Sequence, residues 1–146
     1  MKPTWIVVAN AFQAQLYERA KPRDPLQPLE SFVHPESRLK SAELNDDQPG
    51  STMTQGGGHT AYSPAVEMKD KEQEKFARQI VDRLQQGVHG ERCGALMLFA
   101  SPAMLGTLRN LLDGPCAKLV QHSAAIDLTA FSGRELEARI AQQLER

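Results

Sequence analysis

Trp5-Ile6-Val7-Val8-Ala9 is an unbroken apolar run dominated by β-branched residues. Such a run, too short for a helix and with no polar position, reads as a central strand buried on both faces. It commits much of the remaining chain to covering two sides of a sheet. Phe12, Ala14 and Leu16 then alternate with Gln13, Gln15 and Tyr17, and a period of two marks a half-exposed strand. Only Asn10 and Ala11 separate the two runs, so they should form a hairpin. Lys21-Pro22-Arg23-Asp24-Pro25 breaks the pattern, and Leu29 to Val33 reads as a third strand.

A helical period takes over later. Ser63-Pro64 offers a cap followed by proline at the first helical position, and Asp70 with Gln73 offers a second possible start. Phe76, Ile80 and Leu84 recur every four residues, widened by Ala77 and Val81, with charged residues opposite. Gly87 and Gly90 should end this helix. Ala95 to Ala100 is another buried strand, and Ser101-Pro102 repeats the cap-plus-proline start. Leu105, Leu108 and Leu112 form a short helix stopped by Asp113-Gly114-Pro115. Cys116 to Gln121 is the predicted last strand. Ser132 with Glu135 makes a capping box for a closing helix built on Leu136, Ile140 and Leu144.

Three adjacent strands should form an antiparallel meander. Two later strands, separated by helices, should add in parallel through right-handed crossovers. The expected fold is therefore α/β: a ribonuclease-H-like mixed sheet, three antiparallel strands plus two parallel ones, with helices on its faces. A flavodoxin-like sheet would want a helix between the first two strands. One domain over 1–146 accommodates every element, and 146 residues suffice for a sizeable core.

One segment contributes nothing to that core. The loop from about 35 to 64 contains Pro35-Glu36-Ser37-Arg38, Asp46-Asp47-Gln48-Pro49-Gly50 and Gln55-Gly56-Gly57-Gly58-His59. Connections in compact domains typically run ~4–6 residues, so a loop this long is a functional appendage or a disordered segment. Its three glycines allow close backbone approach to a partner, although a plain flexible linker accounts for them more readily. Arg38 and His59 are candidates for phosphate contacts, assisted by peptide N–H groups.

The remaining chemistry is mostly excluded. A net charge of −1 argues against tight binding of a long nucleic-acid duplex. Cys93 and Cys116 are too few for a disulfide framework and read as buried reduced thiols. The opening residues lack the apolar stretch and cleavage site of a secretory signal, and no window approaches a membrane span; the expected location is the cytoplasm, with no membrane insertion. His34, His59, His89 and His122 show no paired ligand spacing. Except for His59 they read as unliganded surface or edge histidines, so no metal and no cofactor is expected. The first strand carries no acid, and Asp46, Asp47 and Asp127 read as solvated turn acids, which disfavours a two-metal nuclease. No Gly-x-Ser-x-Gly elbow occurs, and capping accounts for Ser101-Pro102. The chain reads as non-enzymatic.

The segments Pro35-Glu36-Ser37-Arg38, Asp47-Gln48-Pro49-Gly50, Gly58-His59, Glu74-Lys75-Phe76-Ala77, Leu98-Phe99-Ala100-Ser101-Pro102, Leu105-Gly106-Thr107-Leu108-Arg109 and Asp127-Leu128-Thr129 together resemble, in order and spacing, the bacterial family of proteins required for attachment to host cells. The family has been grouped with the middle domain of archaeo-eukaryotic peptide-release factors, where a Gly-Gly-Gln loop precedes a long helix. Here the order is Gln55-Gly56-Gly57-Gly58 and no Gly-Gly-Gln occurs. The resemblance therefore implies association with the ribosome or RNA, not peptide release. An attachment factor acting through protein contacts, and a degenerate peptidyl-tRNA ester hydrolase or nuclease, are the alternatives. The candidate contact residues are Arg38, Asp47, Gly50, Gln55, Gly57 and His59.

Overall fold

The computed structural model describes residues 2–34 and 64–145, the side chains of 64–70 excepted. Five strands form one sheet: β1 (Thr4–Ala9), β2 (Gln13–Arg19), β3 (Gln27–Val33), β4 (Ala95–Ala100) and β5 (Val120–Ala125). Their order across the sheet is β3-β2-β1-β4-β5. The pairs β1–β2 and β2–β3 are antiparallel, and β1–β4 and β4–β5 are parallel. This is the expected meander extended by two parallel strands. The apolar run 5–9 occupies the middle of the sheet because only there are both of its faces covered.

Among the described residues four helices accompany the sheet: α1 (Pro64–His89), α2 (Pro102–Leu111), α3 (Gly114–Lys118) and α4 (Gly133–Leu144). Alternation along β1 divides the core in two. Trp5 and Val7, with Leu96 and Leu98 of β4, pack on Phe76, Ile80 and Leu84 of α1 and on Met104 and Leu108 of α2. Ile6 and Val8, with Phe99, pack on Leu128 and on Leu136 and Ile140 of α4. Leu144, the third expected anchor of α4, is 38% exposed and lies outside this cluster.

Three local expectations need correction. The last strand starts at Val120, not Cys116, because Asp113 caps the short helix α3: its carboxylate accepts from the Cys116 N–H at 2.9 Å. Ser101 and Ser132 occupy the N-cap positions of α2 and α4, but neither side chain makes a capping hydrogen bond. Helix α1 also runs straight through Gly87. It ends in a Schellman arrangement, with Arg92 N–H donating to Gly87 O and Glu91 N–H to Val88 O. The left-handed residue there is Glu91, at φ 59°, and not a glycine.

Gly87 has a different reason. A Cβ placed on it would lie 2.2 Å from the Trp5 ring, which is itself buried and capped by the Arg83 guanidinium at 4.8 Å. Helix propensity favours alanine over glycine by roughly 0.8–1.0 kcal/mol. Overpacking against a boxed indole costs about 1–3 kcal/mol. Gly87→Ala is therefore expected to destabilise the fold by up to roughly 2 kcal/mol, read from denaturant midpoints followed by the fluorescence of the lone tryptophan. A stabilised variant would mean that the ring does not rest on the helix.

Both cysteines are buried free thiols. Burial raises the Cys93 thiol above its ordinary range. Burial and the neighbouring Asp113 carboxylate push Cys116 up to about 12. Both therefore stay protonated at neutral pH.

Candidate functional site

The carboxyl ends of the parallel strands β1 and β4 lie side by side, with Ala9 paired to Ala100. The chain leaves β1 towards β2 and leaves β4 into α2, so the connections diverge at this edge. In open α/β sheets, ligands bind outside the carboxyl ends of the strands where connections part in this way. The end of β5, the start of β2 and the end of β3 share the edge through Ala100–Ala125, Ala9–Ala14 and Gln13–Val33 pairing.

Asn10 organises it. Its side-chain oxygen accepts from Phe12 N–H at 2.8 Å and Gln13 N–H at 3.0 Å, closing the β1–β2 turn. Asparagine suits that turn because its short amide can replace a backbone partner. The same amide donates its N–H groups to Asp127 Oδ2 and Thr129 Oγ1, both at 3.0 Å. Asp127 Oδ1 accepts from the Thr129 hydroxyl at 2.6 Å and from Thr129 N–H at 2.9 Å. Both carboxylate oxygens are thus engaged, and the turn after β1 is tied to the chain after β5. Asp127 is exposed, as expected of a turn acid, and is also a tether across this edge, a role the sequence reading missed.

Partial burial alone would raise the Asp127 carboxyl, but the hydrogen bonds from Thr129 and Asn10 outweigh it and hold the group below its usual value. A depressed carboxyl contributes stability above its unfolded pKa of about 3.9 and loses that contribution as pH falls through the lower folded value. The unfolding midpoint should therefore fall between pH 6 and pH 3. Asp127→Asn, which has no carboxylate to protonate, should show a shallower fall; equal slopes would contradict the tether.

His34 secures the neighbouring corner. Its N–H donates to Phe12 O at 2.9 Å, and its ring Nδ1 lies 3.3 Å from Ala11 O. The ring stacks on Phe76 at 4.9 Å and places Nε2 3.6 Å from Glu72 Oε2. Both side chains are buried, so His34 lies at the edge, as expected, but is not a solvated surface histidine. The signal for it was the α1 periodicity: Glu72 lies four residues before Phe76, on the same helix face. His89 is not an isolated histidine either, since its Nε2 lies 2.9 Å from Asp113 Oδ2. His122 tilts against Phe99, with a buried Nε2 that makes no hydrogen bond among the described residues.

The direction of α1 follows from these contacts. Phe76 meets His34 at the carboxyl edge, and Gly87 meets Trp5 at the other end of β1. The helix starts at Pro64. At 1.5 Å per residue its first two turns extend about 12 Å beyond Glu72, past the sheet edge. Arg38, Asp47, Gly50, Gln55, Gly57 and His59 all lie in 35–63, outside the described residues. The described chain stops before that segment at His34, on this edge, and resumes at Pro64 on the overhanging helix.

No helix among the described residues is long and apolar enough to cross a membrane. No curated protein matches the chain. The profile of one family, described as "Protein required for attachment to host cells", matches residues 5–140, from the first core residue of β1 to the last buried residue of α4. With nearly its whole length accounted for, including the Asp127 tether and both ends of the 35–63 segment, the chain belongs to the family of proteins required for attachment to host cells.

Proposed function

We propose that this attachment-family protein is a non-enzymatic cytoplasmic module. It binds the ribosome or RNA through the carboxyl edge of its sheet together with the 35–63 segment. The observation that supports this is the placement of both ends of that segment. One end is fixed by His34 to the Ala11–Phe12 turn, and the other continues into a helix that overhangs the same edge. The Asn10–Asp127–Thr129 hydrogen bonds hold the edge as a fixed platform. The first N–H groups of α2 follow β4 directly, with Ser101 N–H turned back to Ala9 O. Free N–H groups at a helix start suit anionic groups such as RNA phosphates. Arg38 and His59 supply phosphate contacts, and the glycines 56–58 allow close approach.

The release-factor resemblance points to the same class of partner. Three hydrogen bonds from Asn10 and Thr129 fill about three of the four acceptor positions of Asp127, which weighs against metal-dependent cleavage at this edge.

Co-sedimentation of the purified chain with ribosomes at low and high salt tests the reading. The chain should pellet with ribosomes at low salt and be released as salt rises, as phosphate contacts demand. Absence from the pellet at both salts would remove the ribosome from the account. The family description favours a second reading, attachment through protein contacts. Finding the untagged protein on the surface of intact cells would select it.

A further inference from the structure

At the opposite end of the molecule, three elements bring three different donor atoms together. His89 lies in the last turn of α1, Asp113 in the turn between α2 and α3, and Cys116 within α3. Their ligand atoms all lie within 4.8 Å of one another. We propose that His89, Asp113 and Cys116 form a binding site for a borderline-soft divalent cation of the zinc type.

The donor set carries the chemistry. Imidazole nitrogen, carboxylate oxygen and thiolate sulfur are the ligands zinc takes, at about 2.0–2.3 Å each. Tetrahedral bonds of that length separate neighbouring ligand atoms by about 3.3–3.8 Å. His89 Nε2 and Asp113 Oδ2, now 2.9 Å apart, must therefore open slightly. The widest separation must close by about 1 Å. The geometry leaves the outer ligands free to make that adjustment: the His89 side chain is 53% exposed and that of Asp113 35%. Cys116 is fully buried and forms the floor.

The surroundings hold the middle ligand in place. Asp113 Oδ1 accepts from Cys116 N–H at 2.9 Å, leaving Oδ2 for the cation, and Asp113 N–H donates to Gln85 Oε1 at 3.1 Å. Such supporting bonds orient ligands in metal sites. Capping α3 needs Asp113 alone, yet the same carboxylate is also hydrogen-bonded by the His89 imidazole and the Cys116 thiol, so three donor types meet at one point. Three protein ligands leave the fourth position to water, on the open side lined by His89. On binding, the sulfur–metal bond replaces the Cys116 S–H bond and that proton passes to solvent; the Nε2 hydrogen that His89 now donates to Asp113 is also given up, to solvent or to Nδ1, which frees Nε2 for the metal. The site lies away from the carboxyl edge, so the inference stands apart from the proposed partner.

Titration of tag-free protein with Co²⁺ tests it, followed by displacement with Zn²⁺. The expected result is a near-ultraviolet thiolate-to-cobalt charge-transfer band that saturates and is then abolished by Zn²⁺. Cys116→Ser, checked for its fold by circular dichroism, should lose the band. His89→Ala, a change on the surface, should weaken Co²⁺ binding by at least the roughly 10–100-fold that loss of a mere supporting partner costs. No charge-transfer band in the wild-type protein would overturn the proposal. So would a band that persists in folded Cys116→Ser, or Co²⁺ affinity unchanged in His89→Ala.

Discussion

Replacing Trp5 by alanine should cost about 3–5 kcal/mol of folding stability, the range for large aromatic truncations in a packed core. Trp5 lies on the central strand, 2% exposed, with its ring against the backbone of α1 at Gly87 and beneath the Arg83 guanidinium. Removing the indole leaves a void between the sheet and the longest helix, and neither can collapse without disturbing the other. The indole N–H makes no hydrogen bond among the described residues, so its loss returns a little of that cost. Trp5→Phe should therefore be much milder than Trp5→Ala. The Gly87 contact adds a sharper check. In a Trp5→Leu background the Gly87→Ala substitution should lose most of its cost, a coupling within the 0.5–3 kcal/mol seen for residues in contact. Additive effects would show that the two positions do not touch. Circular dichroism is the appropriate probe, since these variants lack the chain's lone tryptophan.

Asn10→Ala is the second large effect expected, at about 1–3 kcal/mol. One side chain accepts two backbone N–H groups of the turn and donates to both Asp127 and Thr129. Its removal strands the turn amides and frees the chain after β5. Because the site is half open, water replaces part of the loss, which favours the lower half of that range. Asn10→Asp discriminates further. A carboxylate would keep both turn amides but face Asp127 Oδ2 where the amide nitrogen now sits 3.0 Å away. Like charges at that distance disfavour joint ionisation. The variant should be destabilised at pH 7 and recover in part as pH falls and one carboxyl takes a proton. Recovery at higher pH would contradict this arrangement.

Periodicity made the sheet legible. The run 5–9, the alternation in 12–17 and the four-residue spacing of Phe76, Ile80 and Leu84 depend on burial, which leaves a local mark in sequence. The antiparallel and parallel pairing senses followed from the lengths of the connections. Cap chemistry was less reliable. Ser101 and Ser132 stand at helix starts without capping through their side chains, and Glu91 takes the left-handed turn that glycine usually supplies. Gly87 looked like a helix stop because sequence does not reveal that a ring from β1 rests on it.

The site was least legible where partners come from distant positions. Asn10 and Asp127 are 117 residues apart, and His89 and Asp113 come from different elements. No spacing rule anticipates either pair; only the parallel pairing of β1 with β4 and of β4 with β5 brings the ends of β1 and β5 to one edge. The expected contact residues in 35–63 came from glycine content and family resemblance, and they lie outside the described residues.

The central claim is that the carboxyl edge, together with the segment that leaves and rejoins there, is the surface that meets the partner. Amide hydrogen exchange of the full chain with and without purified ribosomes tests it most directly. Slowed exchange should appear in 35–63, in the turn 10–13 and at 127–131, with the turns at 20–26 and 90–94 unchanged. Slowed exchange confined to those two turns, at the far end of the sheet, would place the contact on the wrong side of the molecule and contradict the account.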